Sequence, residues 1–226
     1  MFSSRVNLTR LEEEVQEYEK QPIETGKIMF YGDSGFTRWS EHYDMRPLET
    51  EILGKDGKKA VINHGIGGST AEELLFYFHR LVVPWKPKAL VLLCFGNDNH
   101  FGYSPAEILY LQSKIVEYAR AQIPGIRFYL CDVRMVTVNI DNEQAWGSFI
   151  NRAKEYNDLL EDFCNKNKDC TLVTHCDCPL FFPDANDVGE YRNVRRDIFV
   201  DDQVHFDQKG YTLYAEFFRN ILEDIL

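Results

Sequence analysis

Five short stretches of the chain are apolar without a break or in alternation: KIMFYG (Lys27–Gly32), KAVINH (Lys59–His64), ALVLLCFG (Ala89–Gly96), RFYLCDV (Arg127–Val133) and TLVTHCD (Thr171–Asp177). Runs of this length, bounded by glycine and polar residues, predict strands covered on both faces. Between them the period changes. Leu74, Leu75, Phe78, Leu81 and Val82 recur at helical spacing, and so do Ile108, Leu111, Ile115 and Tyr118. Tyr156, Leu159, Leu160 and Phe163 repeat the pattern before the fifth run, as do Leu213, Tyr214, Phe217, Phe218, Ile221, Leu222 and Ile225 at the end. Ser104-Pro105 marks a helix start: a serine cap followed by a proline whose missing N–H has no partner to lose there. Strands alternating with helices predict an α/β protein, a parallel sheet sandwiched between two helical layers. Such sheets place their ligand site at the carboxyl ends of the strands, near a topological switch. No repeat and no Pro/Gly/Ser linker interrupts the pattern, and the irregular stretch Cys178–Val200 reads as a surface excursion. The expectation is one domain over 1–226, with 1–25 a helical extension laid on the outside through Leu8, Leu11, Val15 and Tyr18.

Composition narrows the function. A hydrophobic fraction of 44%, with 16 Phe, 12 Tyr and 3 Trp in 226 residues, supplies a packed core and excludes a disordered chain. The 25 basic and 36 acidic residues give a formal net charge of −11, which a nucleic acid or an anionic bilayer repels. No apolar run approaches the ~20 residues that span a bilayer. The expectation is a soluble protein with neither nucleic-acid nor membrane partners. The segment LTRLEEEVQEYEK lacks the apolar centre of a secretory signal, and Cys94 and Cys131 fall inside strand runs like ordinary buried thiols. Both point to the cytoplasm.

The strand ends carry the polar chemistry. Gly32-Asp33-Ser34-Gly35 follows the first strand, Asn63-His64-Gly65-Ile66-Gly67-Gly68-Ser69-Thr70 spans the end of the second, and Gly96-Asn97-Asp98-Asn99 follows the third. Asp202-Gln203-Val204-His205-Phe206 precedes the last helix. Each alone is a common turn or cap. Together they contain what acyl transfer requires. A serine hydroxyl is a weak nucleophile until an imidazole takes its proton, and a carboxylate on the other ring nitrogen fixes the tautomer. Asp202 and His205 are three positions apart and meet if the turn is helical. A developing oxyanion needs preorganised donors, which the Gly68 N–H and the Asn97 amide can supply.

These four blocks, GDS, N-x-G-x-x-G, GND and D-x-x-H, resemble in kind and order those of the SGNH (GDSL-type) hydrolases, from about Ile28 to Tyr211. The resemblance implies a flavodoxin-like fold with five parallel strands. It implies Ser34 as nucleophile, His205 as general base and acid, Asp202 as its orienting partner, and Ser34, Gly68 and Asn97 as oxyanion donors. FYGDSGFTRW, INHGIGGST and the FVDD-x-VHF run are similar to a cytosolic bacterial-type branch with an extra N-terminal helix. Three departures stand out: Gly35 where leucine is usual, Ser69 where aspartate is frequent, and Asn99, an alternative to Asn97 as donor. Phe36, Trp39, Tyr103 and Phe206 lie just beyond the blocks as pocket walls or core plugs, and His64 and His100 as pocket or loop residues.

The implied activity is that of a serine hydrolase cleaving small or short-acyl carboxylic esters through an acyl-enzyme on Ser34, with acetylated carbohydrate among the candidates. An acyl-CoA thioesterase using an Arg192/Arg195/Arg196 patch, a lysophospholipase, or a non-catalytic carbohydrate-binding domain are the alternatives. No cofactor or metal is expected. Gly65-Ile66-Gly67-Gly68 fails as a dinucleotide fingerprint because Thr70 stands where the third glycine belongs. No GxSxG elbow, P-loop or HExxH is present. His175-Cys176-Asp177-Cys178, with Cys164 and Cys170 nearby, lacks the spacing of zinc knuckles and reads as ordinary thiols.

Overall fold

The computed structural model describes residues 4–226, so the first three residues of the expected extension 1–25 lie outside the described residues. The five apolar runs form one sheet of β1 (Ile28–Gly32), β2 (Val61–Gly65), β3 (Ala89–Leu93), β4 (Arg127–Cys131) and β5 (Cys170–Val173). Every pairing is parallel and the order is β2-β1-β3-β4-β5. In register, Ile28 faces Val61 on one side and Ala89 on the other, and Gly32 faces Gly65 and Leu93.

The third strand is shorter than its apolar run. Phe95 takes a positive φ of 105°, which turns the backbone out of the ladder, and Gly96 already opens a helix. Among the described residues eight α-helices flank the sheet: α1 (Glu12–Glu19), α2 (Ser34–Thr37), α3 (Leu48–Glu51), α4 (Ala71–Leu81), α5 (Gly96–His100), α6 (Pro105–Gln122), α7 (Glu143–Lys166) and α8 (Gln208–Ile221). As expected, Ser104 caps α6 with Pro105 in its first turn, and Glu107 reaches back to complete a capping box.

The period-2 rule divides the core. Met29 and Tyr31 of β1 pack with Val15 and the buried faces of α4, α6 and α7, while Ile28 and Phe30 pack with α2, α3 and α8. The second layer is rich in aromatics. Trp39 stacks on Tyr211 and Tyr214 at 5.1 and 5.4 Å, Phe36 meets Phe30 edge-on at 5.2 Å, and the Trp39 indole N–H donates to Glu51. Phe36 and Trp39 are therefore core residues, not pocket walls. Fully buried His175 links β4, β5 and α8 through Asp132 (2.6 Å) and the Tyr214 hydroxyl (2.8 Å), and the Cys176 thiol donates to the same Asp132. Among the described residues no helix is long and apolar enough to cross a membrane.

From β1 the chain moves outward to β2 and then returns past β1 to β3. The reversal opens a crevice between the carboxyl ends of β1 and β3, where residues 32–34 and 94–97 emerge.

Candidate active site

Ser34 is the first residue of α2. The preceding Asp33 caps that helix, its side chain accepting the Gly35 N–H at 2.8 Å. The short helix lies so close to β2 that a Cβ on Gly65 would stand 2.4 Å from the Thr37 nitrogen, so the block-two glycine is needed for close approach.

His205 arrives from the other end of the sequence. Its Nε2 is 2.8 Å from Ser34 Oγ, and its Nδ1 is 2.7 Å from Asp202 Oδ2. The Asp202–His205 segment is not the helical turn expected from its spacing. Gln203 has a φ of 58°, and Asp202 Oδ1 accepts the backbone N–H groups of Val204 and His205, both at 2.9 Å. An aspartate closing its own turn brings carboxylate and ring together as well as a helix would. Arg38, one turn beyond Ser34, donates to Asp202 Oδ2 at 2.9 Å.

These contacts set the protonation. Burial opposes the Asp202 charge, but the His205 backbone N–H, its ring and the Val204 N–H outweigh burial and hold the carboxyl down at about 2. Burial also disfavours charge on His205. With the positive fields of Arg134 and Arg38, it outweighs the pull of Asp202 and lowers the ring to about 4. At neutral pH the imidazole is uncharged. With Asp202 ionised, Nδ1 carries the proton and Nε2 accepts from the serine hydroxyl.

The second and third blocks are joined. Asn97 Nδ2 donates to the Ser69 carbonyl at 3.0 Å, which leaves a second amide hydrogen. Buried Asp98 accepts the Ala71 N–H (2.8 Å) and the Phe95 N–H (3.1 Å), and burial raises its pKa to about 7. The Asn99 side-chain oxygen accepts from Arg152, which fixes the orientation of that amide. Gly68 holds a φ of 71° in the loop beside Ser69. The N-terminal segment grips this loop: Arg10 donates to the Gly68 carbonyl, Glu14 accepts the Gly67 N–H at 2.9 Å, and Tyr18 donates to the Gly65 carbonyl. Residues four apart share one face of the segment, so three side chains reach one loop.

A cavity of about 400 Å³ opens beside Ser34 and is walled by Asn97, Asn99, His100, Arg134 and the apolar Val136, Val138 and Phe149. A neighbouring cavity of about 420 Å³, reaching Trp146 and Arg152, shares the Asn99, Val136, Val138, Asn139 and Phe149 walls. Of the expected pocket residues, His100 lines the Ser34 cavity, while Gly68, expected as an oxyanion donor, lies in the adjoining loop and not among the residues lining that cavity. Phe206 is buried beneath Arg134. His64 packs between Tyr18 and Trp85 with Nδ1 against the Leu81 carbonyl, and burial lowers its pKa to about 4. Buried Tyr103 carries Arg5 against its ring. Sequence reasoning missed Arg38, Arg134 and the Arg10/Glu14/Tyr18 grip. Arg134 alone had a signal, since it follows the fourth strand, where the strand-end rule directs attention.

The profile of the GDSL-like lipase/acylhydrolase family matches residues 30–213. The chain belongs to this family, and it is an ester-hydrolysing enzyme. Solved structures agree in fold. A GDSL-like lipase from Bacteroides thetaiotaomicron is similar at 17% identity, with a TM-score of 0.73 over 97% of this chain and 100% of that one. An acetyl xylan esterase is similar at 21% identity, with a TM-score of 0.63 over 88% of this chain and 100% of that one. A psychrotrophic esterase from Pseudoalteromonas sp. is similar at 13% identity, with a TM-score of 0.59 over 88% and 97%. A search of curated proteins finds no match.

Proposed function

We propose that the chain is a serine esterase that cleaves small carboxylic esters through an acyl-enzyme on Ser34. The observation that carries this reading is the line from Asp202 through His205 to Ser34, with both hydrogen bonds under 3 Å. Ser34 Oγ attacks the ester carbonyl while His205 Nε2 takes its proton. The resulting imidazolium is stabilised by ionised Asp202. The oxyanion is met by the Ser34 and Gly68 backbone N–H groups and by the second Asn97 amide hydrogen. His205 then protonates the departing alcohol. Water enters and attacks the acyl carbonyl as it gives a proton to His205, which returns that proton to Ser34 Oγ as the acid leaves.

The size of the cavity favours a short acyl group, and the adjoining cavity offers room for the alcohol. An acetylated carbohydrate fits that division, and similarity to an acetyl xylan esterase supports it. Acyl-CoA is less favoured because its suggested anchors are already occupied. Arg192 pairs with Glu143, Arg195 with Asp197, and Arg196 with Asp141.

The test is hydrolysis of a chromogenic ester panel of increasing acyl length, alongside acyl-CoA, by wild type and Ser34→Ala. Loss of turnover in a folded Ser34→Ala protein, with short esters preferred in the wild type, supports the reading. Undiminished turnover in that variant refutes it. A wild type that binds esters without turning them over is the binding-domain outcome.

A further inference from the structure

Arg134 leaves the carboxyl end of β4 and enters the wall of the cavity that holds Ser34 and Asn97. Among the described residues none hydrogen-bonds or ion-pairs with its guanidinium. Nη1 is buried without a partner, and the group lies over the face of Phe206 at 5.1 Å. A guanidinium carries five donors and stays charged at any working pH, so leaving it half out of water without an acceptor is costly.

The nearby carboxylates do not supply that acceptor. Asp33 lines the same cavity, but its Oδ1 accepts the Gly35 N–H, and among the described residues no ion pair joins it to Arg134. Asp202 is taken by His205, Arg38 and two backbone N–H groups.

Gly35 provides an independent observation. A Cβ there would lie 3.0 Å from Arg134 Nε and 2.9 Å from Leu93 Cδ2. The residue after the serine therefore has no side chain, and the guanidinium occupies the neighbouring space. The departure at Gly35 and the presence of a cation beside Ser34 are two halves of one arrangement.

We infer that Arg134 is a specificity-determining residue that binds an anionic oxygen group on the substrate, so the esters this enzyme prefers carry a carboxylate or a phosphate. The inference deepens the serine-esterase reading and rests on it. A net charge of −11 gives an anion no long-range attraction. Recognition must then come from short-range paired N–H···O contacts, which the guanidinium fork provides. The rival explanation is that Arg134 only offsets the buried charge of Asp33.

The experiment measures kcat and KM for wild type, Arg134→Gln and Arg134→Lys at pH 8, well above the titration of His205. The substrates are matched pairs. 4-Acetoxybenzoate against its methyl ester places a carboxylate on the alcohol side. The 4-nitrophenyl half-ester of adipic acid against its methyl ester places one on the acyl side. 4-Acetoxyphenyl phosphate against phenyl acetate tests phosphate as the source. The expected result is a charged-over-neutral preference in at least one pair, expressed mainly in KM. In Arg134→Gln that preference falls by roughly tenfold to a hundredfold, the loss of one charge-assisted contact, and Arg134→Lys restores part of it.

An equal loss on charged and neutral members, or no preference in the wild type, overturns the inference. Ser34→Ala runs in parallel. If it keeps turning over the neutral esters, the underlying reading has failed; if it is inactive while the Arg134 variants show no charge dependence, only this inference has failed. Should Arg134→Gln not fold, wild-type inhibition decides the matter: benzoate inhibiting more strongly than benzamide supports the inference, and equal inhibition overturns it.

Discussion

Acidification tests the electrostatics of the site in one titration. The form of His205 that accepts the serine proton is uncharged, so activity falls as the ring protonates. An ordinary histidine titrates near 6.5 and would keep roughly 9% of its rings free at pH 5.5. Burial together with the Arg134 and Arg38 charges places this ring at about 4. At that value roughly 97% remain free at pH 5.5, a difference of about tenfold in rate at one accessible pH. The assay is kcat/KM for a neutral ester between pH 4 and 8, from initial rates taken before any acid unfolding and checked by return to pH 8. The account predicts a flat profile down to about pH 5. Arg134→Gln removes the second-largest cause of the depression, so its midpoint moves up towards 6.5. A wild-type midpoint near 6.5, or a variant midpoint that does not rise, refutes the proposed control of His205 by burial and Arg134.

Further outcomes follow from single contacts. Asn97→Ala lowers kcat by about 10²–10³, whereas Asn99→Ala, whose side chain is held by Arg152, lowers it less than tenfold; the reverse order in steady-state rates would reassign the donor. Glu14→Ala leaves the Gly67 N–H without its acceptor, which costs about 1–3 kcal/mol of stability in thermal melts and loosens the loop that carries Gly68. We expect kcat to drop about tenfold, and an unchanged kcat would show that the loop keeps its shape without the N-terminal segment. His64, held to about 4 by burial, binds fewer protons folded than unfolded. Its contribution is therefore complete above pH 6.5 and lost as pH falls through 4, roughly 3 kcal/mol in all. Denaturant melts of His64→Gln should show a shallower loss over that window, and an identical slope would contradict it.

The fold was legible because its signal is periodicity. Five buried strands read as apolar runs, and a change from period 2 to 3.6 located the helices between them. The Ser104 cap with Pro105 behind it was visible for the same local reason. The motif glycines, Ser34, Asp202 and His205 were legible as a set, because acyl transfer needs those residue types together and the strand-end rule states where they gather. The turn that joins Asp202 to His205 was misread, since spacing of three suits an aspartate-closed turn with Gln203 at positive φ as well as a helix. Phe36, Trp39 and His64 could not be placed. An aromatic ring next to a site residue looks the same in sequence whether it faces the cleft or the core, and only the packing against Tyr211, Tyr214 and Trp85 decides. Arg134 had a positional signal just past the end of β4 that went unread, whereas Arg38 and the Arg10/Glu14/Tyr18 grip were invisible for a different reason. Their meaning lies in contacts between segments far apart in the chain, which no local pattern encodes.

The most direct test of the central claim is covalent. Treating the protein with diethyl 4-nitrophenyl phosphate and mapping the adduct by peptide mass spectrometry asks which hydroxyl the site activates. The account predicts a single diethylphosphoryl adduct on Ser34, formed in step with loss of esterase activity and absent from His205→Ala. Activity lost with the adduct on another residue, or Ser34 labelled equally fast without His205, would contradict it.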